Sequence, residues 1–164
     1  MERVNKLLAN RDYRCYLEYN HEAEIEREFC SHHFGHLLDV ARLTYLLLIE
    51  EGESTACKEA AYAAGLLHDI GRWHQYRFAS DHAEYSAKLA EPILEEAGFK
   101  KTESRLVTDA IARHRLDEDD GSHLTSLSRA LSRADKLSRL CFRCTAGDKC
   151  KKINKQPQKE RLIY

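Results

Sequence analysis

The sequence predicts an all-α fold, a single helical bundle, and three observations carry that prediction. Apolar residues recur at three- and four-residue intervals in most segments, and no stretch keeps the strict alternation of a strand. Helix breakers are scarce, with 7 Gly and 2 Pro, while hydrophobic residues make up 43% and charged residues 32%. At 164 residues one hydrophobic core is the default. The chain divides into an N-terminal helical segment (1–31) packing on the core, a central part (32–140), and a cysteine-containing tail (141–164) of the same domain.

A first helix is expected from about Glu2 to Asn20, followed by a more acidic stretch, HEAEIEREFC. The next, His32 to Glu50, lines up Leu37, Val40, Ala41, Thr44, Leu47 and Leu48 on one face, and Gly52 stops it. Ser54 or Thr55 can cap a helix from Cys57 to about Ile70, whose run AAYAAGLLHD is apolar on nearly every side and so belongs at the centre. Asp81 caps a helix through Ala97 that Gly98 ends, Thr102 caps one through His114, and Ser126 or Ser128 opens one through Leu140. Before that last helix, DEDDGSH is a charged loop, and after Gly147 the sequence KCKKINKQPQKERLIY packs as an extended tail or frays.

The net charge of -1 leaves no global field to gather nucleic acid or lipid, so an anionic ligand needs a local site. No apolar run approaches the roughly 18 residues of a membrane-spanning helix, and the N-terminus mixes both charge signs where a signal peptide is apolar. The expectation is a soluble, cytoplasmic protein with neither membrane nor nucleic acid as a partner, a homodimer being left open.

Nine histidines say little by number; their placement decides. His68 and Asp69 end the most apolar helix, where an unpaired ionised carboxylate costs several kcal/mol, on the order of a buried charge. A divalent metal compensates that pair directly, because imidazole nitrogen and carboxylate oxygen both ligate zinc, iron and manganese. Four further residues sit in apolar helical contexts: His36, His82, His114 and Asp135. Taken singly, His82 could be a cap, His114 a helix-end histidine favoured by the dipole, and Asp135 a surface partner of an arginine.

Taken in order, His36, His68-Asp69, His82, His114 and Asp135 resemble the HD-domain superfamily, in helical contexts that fit it: GLLHDIGR, HAEYSA, AIARH and SRADKLSR. The resemblance spans about His32 to Arg139 and implies a metal-dependent phosphohydrolase with its site between central helices. It is nearest the six-ligand dinuclear branch, which includes bacterial diadenosine tetraphosphate hydrolases and cyclic-dinucleotide phosphodiesterases. That branch implies two divalent ions, of iron, manganese, zinc, nickel or magnesium, with a bridging water or hydroxide as nucleophile. By resemblance His36, His68, Asp69 and Asp135 hold one ion, and His82 and His114 the other, with Asp69 as the bridge. Asp69, His68 and Arg72 are then the residues expected to carry catalysis on a phosphomonoester or phosphodiester of a nucleotide-like small molecule.

Arg72 stands where the family more often has lysine, and its planar fork suits a phosphate or a carboxylate. His33, Arg115 and Arg139, and more weakly Arg113, are further substrate-binding candidates that could equally face solvent. Trp73, Tyr76 and Phe78, joined by His74, could stack a base or serve as core or lid. AEYSA replaces the Gly-Pro-containing sequence of the diadenosine-polyphosphate enzymes, Arg115 replaces the threonine of their AIxxHT, and the Gly-Tyr-Pro signature of cyclic-diguanylate enzymes is absent. The substrate therefore stays open. A di-iron oxygenase of the same fold and a non-catalytic nucleotide sensor are the alternative readings.

The 6 cysteines are too few for a disulfide scaffold, but CFRCTAGDKC places Cys141, Cys144 and Cys150 within ten residues. That spacing can chelate zinc or an iron–sulfur cluster if Cys30, His32 or Cys15 supplies a fourth ligand; otherwise the three are ordinary residues of a turn.

Overall fold

A computed structural model describes residues 1–53, 58–116 and 124–164. Among these residues the chain is all-α, without a strand. In chain order the helices are α1 (Glu2–Ala9), α2 (Arg11–Glu24), α3 (Phe34–Glu50), α4 (Lys58–Leu67), α5 (Arg72–Phe78), α6 (His82–Glu96), α7 (Lys101–Arg113) and α8 (Ser126–Leu137). Three single turns of 3-10 helix follow, at Cys141–Arg143, Gly147–Lys149 and Ile153–Lys155.

The expected first helix is two. Asn10 is extended (φ -60°, ψ 134°), and its side chain accepts the Tyr13 N–H at 2.9 Å to cap α2. At about 100° per residue, a straight helix would put Val4 and Leu7 on the opposite side from Tyr13 and Asn20. The break lets all four be buried.

Helix α4 is buried almost throughout, from Ala60 to Leu67 except at Tyr62. It lies directly on α3 because Gly65 has no side chain: a Cβ there would stand 2.3 Å from the Ala41 Cα. Helix α3 packs mainly on α4 and α8, and α6 on α7. The six apolar-face positions expected on α3 are all buried.

Helix ends follow local chemistry. Gly52 and Gly98 have φ of +81° and +88° and close α3 and α6, with Glu53 N–H reaching Leu48 O and Phe99 N–H reaching Leu94 O, each at 3.0 Å. Asp81 caps α6 through the Ala83 N–H at 2.8 Å. Lys100, not Thr102, precedes α7, with the Glu103 carboxylate accepting its N–H at 2.9 Å. Thr125, rather than Ser126 or Ser128, caps α8, which stops at Leu137 and not Leu140. Helix α4 ends at Leu67, so His68, Asp69 and Ile70 form a turn beyond it, and α7 ends one residue before His114. The expected cap at Ser54 or Thr55, the start at Cys57 and the loop DEDDGSH lie outside the described residues.

Short α5 was not anticipated as a helix; Ala79 closes it in the left-handed region at φ 53°. After Gly147 the tail is mostly exposed and is anchored at one buried residue. Gln158 is fully buried, donating to Leu137 O and accepting the Ile163 N–H at 2.8 Å, while its own carbonyl takes the Phe142 N–H at 3.0 Å.

Candidate metal centre

Each helix delivers its polar residue at or near an end. His36 comes from the first turn of α3, His68 and Asp69 from the turn after α4, and His82 from the first position of α6. His114 follows α7, and Asp135 lies in the last turn of α8. The close approach of α3 and α4 at Gly65 brings the His36 and His68 rings to 5.4 Å between centroids, with His114 5.2 Å from His68 and 5.4 Å from His82.

Asp69 is the hub. Its Oδ1 lies 3.0 Å from His82 Nε2 and 3.8 Å from His114 Nε2, and its Oδ2 lies 3.4 Å from His68 Nε2. Asp135 Oδ1 stands 3.3 Å from His36 Nε2 and 3.8 Å from His68 Nε2. Two sets have ligand atoms within 4.8 Å of one another: His36, His68, Asp69 and Asp135, and Asp69, His82 and His114. They share Asp69.

The far side of each ring is already held. His68 Nδ1 bonds Gly65 O and His114 Nδ1 bonds Ile111 O, each at 2.7 Å, His82 Nδ1 bonds Gln75 Oε1 at 2.7 Å, and His36 Nδ1 meets Ser138 Oγ at 3.2 Å. Outer contacts of this kind fix a tautomer and aim the other nitrogen at a metal. Among the described residues, seven buried side-chain polar atoms lack a hydrogen-bond partner, and four of them face this centre: Nε2 of His32, His36 and His68, and Asp69 Oδ1. Buried polar atoms are ordinarily satisfied, so a cluster of such orphans marks a place for an ion.

The electrostatics agree with that donor set. Burial lowers the pKa of His36 and His82, and burial with the neighbouring His68 charge takes His114 down to about 4, which leaves three neutral imidazoles ready to ligate. Burial opposes ionisation of Asp69 and Asp135, yet His68 beside the first and Arg139 beside the second hold both carboxyls well below the usual range. His68 is the exception among the rings: burial opposes it, but Asp69 and Asp135 raise it to about 10. Its proton occupies the role that a dication would take over.

Several residues near the centre were not among the expected ligands. His32 is 1% exposed, with Nε2 3.5 Å from Asp69 Oδ2 and Nδ1 2.5 Å from Glu24 Oε1. Glu24 also accepts the His32 N–H at 2.6 Å and the Tyr76 hydroxyl at 2.6 Å. Asn20 donates to Asp69 O at 2.9 Å and accepts the Trp73 N–H at 2.7 Å, bracing the His-Asp turn against α5. The available signal for His32 was its spacing, four residues before His36, and for Glu24 its place in an otherwise exposed acidic run. A cleft of about 510 Å³ is lined by Leu17, Ile25, Arg27 and Phe29 together with Glu24, His32 and His33.

The expected substrate-binding residues divide. Arg72 lies at the centre, its Nη1 2.8 Å from the His82 ring and its Nε donating to Tyr76 Oη at 3.2 Å. Arg139 is engaged by Asp135 Oδ1 at 2.7 Å. Arg115 pairs at the rim with Asp81, 2.9 Å away, next to His82. His33 is exposed, spends its Nδ1 on the His36 N–H as the cap of α3 and lines the same cleft as Glu24 and His32, while Arg113 pairs with Asp109 at 3.0 Å. Trp73 packs edge-on against Tyr19 and Tyr85, and His74 stacks on Tyr85 at 3.7 Å, so these aromatics hold α5 in place. Tyr76 alone of the run reaches the centre. Cys141, Cys144 and Cys150 take no part in it.

The HD domain family matches residues 33–140. An uncharacterized protein of Clostridium beijerinckii is 35% identical over 150 residues, 92% of each chain. Ribonuclease Y of Enterococcus faecalis is 36% identical over 104 residues, and ribonuclease Y of Oceanobacillus iheyensis 36% over 103; each alignment covers 63% of this chain and 17% of the enzyme. No solved structure matches. HD domains bind divalent metals, the element for which the orphaned donors around Asp69 call, and with the match running from the turn before α3 to beyond α8 this chain belongs to the HD domain family.

Proposed function

We propose that the protein is a metal-dependent phosphohydrolase acting on a phosphomonoester or phosphodiester of a nucleotide-like small molecule, through two divalent ions bridged by Asp69. The observation that carries this reading is the convergence of unpartnered Nε2 atoms and Asp69 Oδ1 in a buried space with two ligand sets. His36, His68, Asp69 and Asp135 would hold one ion, and Asp69, His82 and His114 the other. Bound there, such ions acidify water and offset phosphoryl charge.

The remaining work falls to the chain. Asn20 and Gly65 hold the Asp69 and His68 backbone and ring in place. His32, backed by Glu24, faces the open side of Asp69 and is a further donor to metal or water. Arg72, half-buried beside His82 and steered by Tyr76, is placed to meet an anionic phosphoryl oxygen. Arg115 guards the rim. The apolar part of the cleft, Leu17, Ile25 and Phe29, suits a base or another flat group.

The name ribonuclease Y makes an RNA diester the natural macromolecular substrate to test, while a net charge of -1 favours a small one. Assay of the metal-loaded chain against bis(p-nitrophenyl) phosphate, p-nitrophenyl phosphate, dinucleotides and short RNA decides between them. Asp69→Ala is expected to abolish both turnover and metal at the His/Asp centre. Retained turnover with Asp69→Ala would refute the assignment.

A further inference from the structure

The strap after α8 has almost nothing apolar to hold it. Between residues 141 and 157 only Ala146 is buried, and the regular structure is three single turns of three residues each. Yet its course is definite. Cys144 N–H bonds Cys141 O at 3.1 Å, Gly147 N–H bonds Cys144 O at 3.2 Å, and Cys150 N–H bonds Gly147 O at 3.0 Å, an unbroken series of tight turns. A polar segment of this kind needs a staple, because so little burial cannot offset the entropy of ordering it.

The strap is also directed to one place. Lys149 pairs with Glu28, two residues before Cys30, and Arg27 Nε donates to Cys30 O at 2.9 Å. Burial raises the Cys141 thiol above its ordinary pKa, with Cys30, Cys144 and Cys150 acting in the same direction and Arg139 opposing. Each of the four is a free thiol; Cys144 is exposed and the others half-buried. Cys30, more than a hundred residues away in sequence, is the cysteine next to that Lys149–Glu28 contact.

We infer that Cys30, Cys141, Cys144 and Cys150 bind one zinc ion, separate from the His/Asp centre, that fastens the strap to the segment preceding α3. A Cys-x2-Cys turn is the bite of a tetrahedral zinc site, and four thiolates complete the shell. Among the described residues only the His/Asp sets have three or more ligand atoms within 4.8 Å of one another, so the four sulfurs must draw together as the ion binds. Arg139, Arg143, Lys149, Lys151 and Lys152 flank the cysteines in sequence and suit the net negative charge of a zinc tetrathiolate. Binding expels the thiol protons to solvent, so zinc uptake is proton-linked. The ion would clamp two segments that border the centre, Cys30 preceding His32 by two residues and Cys141 following Arg139 by two.

The test uses the full chain purified without added metal. Elemental analysis of Asp69→Ala should find one zinc per chain, and Asp69→Ala with Cys144→Ser should find none, while Cys15→Ser keeps it. Cobalt-loaded wild type should show intense thiolate-to-cobalt absorption that Cys144→Ser removes; this reading stands even where Asp69→Ala does not accumulate. It also separates the two sites, since the His/Asp centre has no sulfur. Zinc retained when Cys144→Ser or Cys141→Ser is combined with Asp69→Ala, cobalt without sulfur charge transfer, or iron with acid-labile sulfide would overturn the inference.

Discussion

The His/Asp centre and the cysteine strap both gather candidate metal ligands but are built in opposite ways. At the centre, α3 and α4 packed at Ala41 and Gly65 fix the rings, and backbone or side-chain partners hold their outer nitrogens before any ion enters. In the strap, packing is nearly absent and the thiols sit on short turns. The comparison teaches that a metal can be received by a fold or can complete one. Metal affinity at the centre should follow helix packing, whereas the order of the strap should follow metal.

The largest effect is expected at the helix contact. Gly65→Ala forces a Cβ against the Ala41 backbone, and we expect a loss of about 3 kcal/mol, the upper part of the range for overpacking. Urea unfolding would measure it, and elemental analysis should show the centre's metals depleted with the strap's zinc intact. Equal loss from both sites would break the distinction. Next comes His32→Ala, which removes an orphaned nitrogen facing Asp69. Metal affinity at the centre should fall about 10- to 100-fold, as for other supporting residues, in a competition titration with a chelating dye. An unchanged affinity would make the Glu24–His32 pair purely structural.

Protonation separates the regions further. In the metal-free protein the raised His68 pKa contributes stability in full below its unfolded value of 6.5 and loses it as pH rises through about 10. Glu24, held down to about 2 against burial by hydrogen bonds from His32, contributes above its unfolded value of 4.5 and loses it as pH falls through about 2. The melting temperature of chelator-treated protein should therefore decline on both flanks. Added metal should cancel the alkaline decline, because it replaces the His68 proton. A metal-free melting temperature that climbs between pH 7 and 9 would contradict the electrostatics. The smallest effect is at Ala79, whose left-handed backbone favours glycine: Ala79→Gly should stabilise by at most about 1 kcal/mol in thermal unfolding, with metal content at both sites unchanged.

Much of this architecture was legible because its causes are local. The apolar face of α3, the caps and stops at Gly52, Asp81 and Gly98, and the buried character of α4 all arise within a few residues of sequence. The break at Asn10 was written in the half-turn jump of the apolar stripe between Leu7 and Tyr13, a phase that a single long helix does not tolerate. Helix α5 carries no such stripe; it is held by Asn20 and by rings from α2 and α6, contacts that sequence order does not reveal. His32 and His33 are adjacent and chemically identical, and only the path of the chain into α3 turns one toward Asp69 and leaves the other as a cap. The expected ligand residues could be singled out in sequence and the resemblance already implied Asp69 as their bridge, while the distances that bring both sets to Asp69 needed the fold.

The most direct measurement is anomalous diffraction from crystals of metal-loaded protein, recorded at the absorption edge of the bound metal. The account predicts two peaks joined by Asp69, one in ligand distance of His36, His68 and Asp135 and the other of His82 and His114. Absence of any peak at Asp69, or a single ion that leaves His82 and His114 unbound at saturating metal, would contradict it.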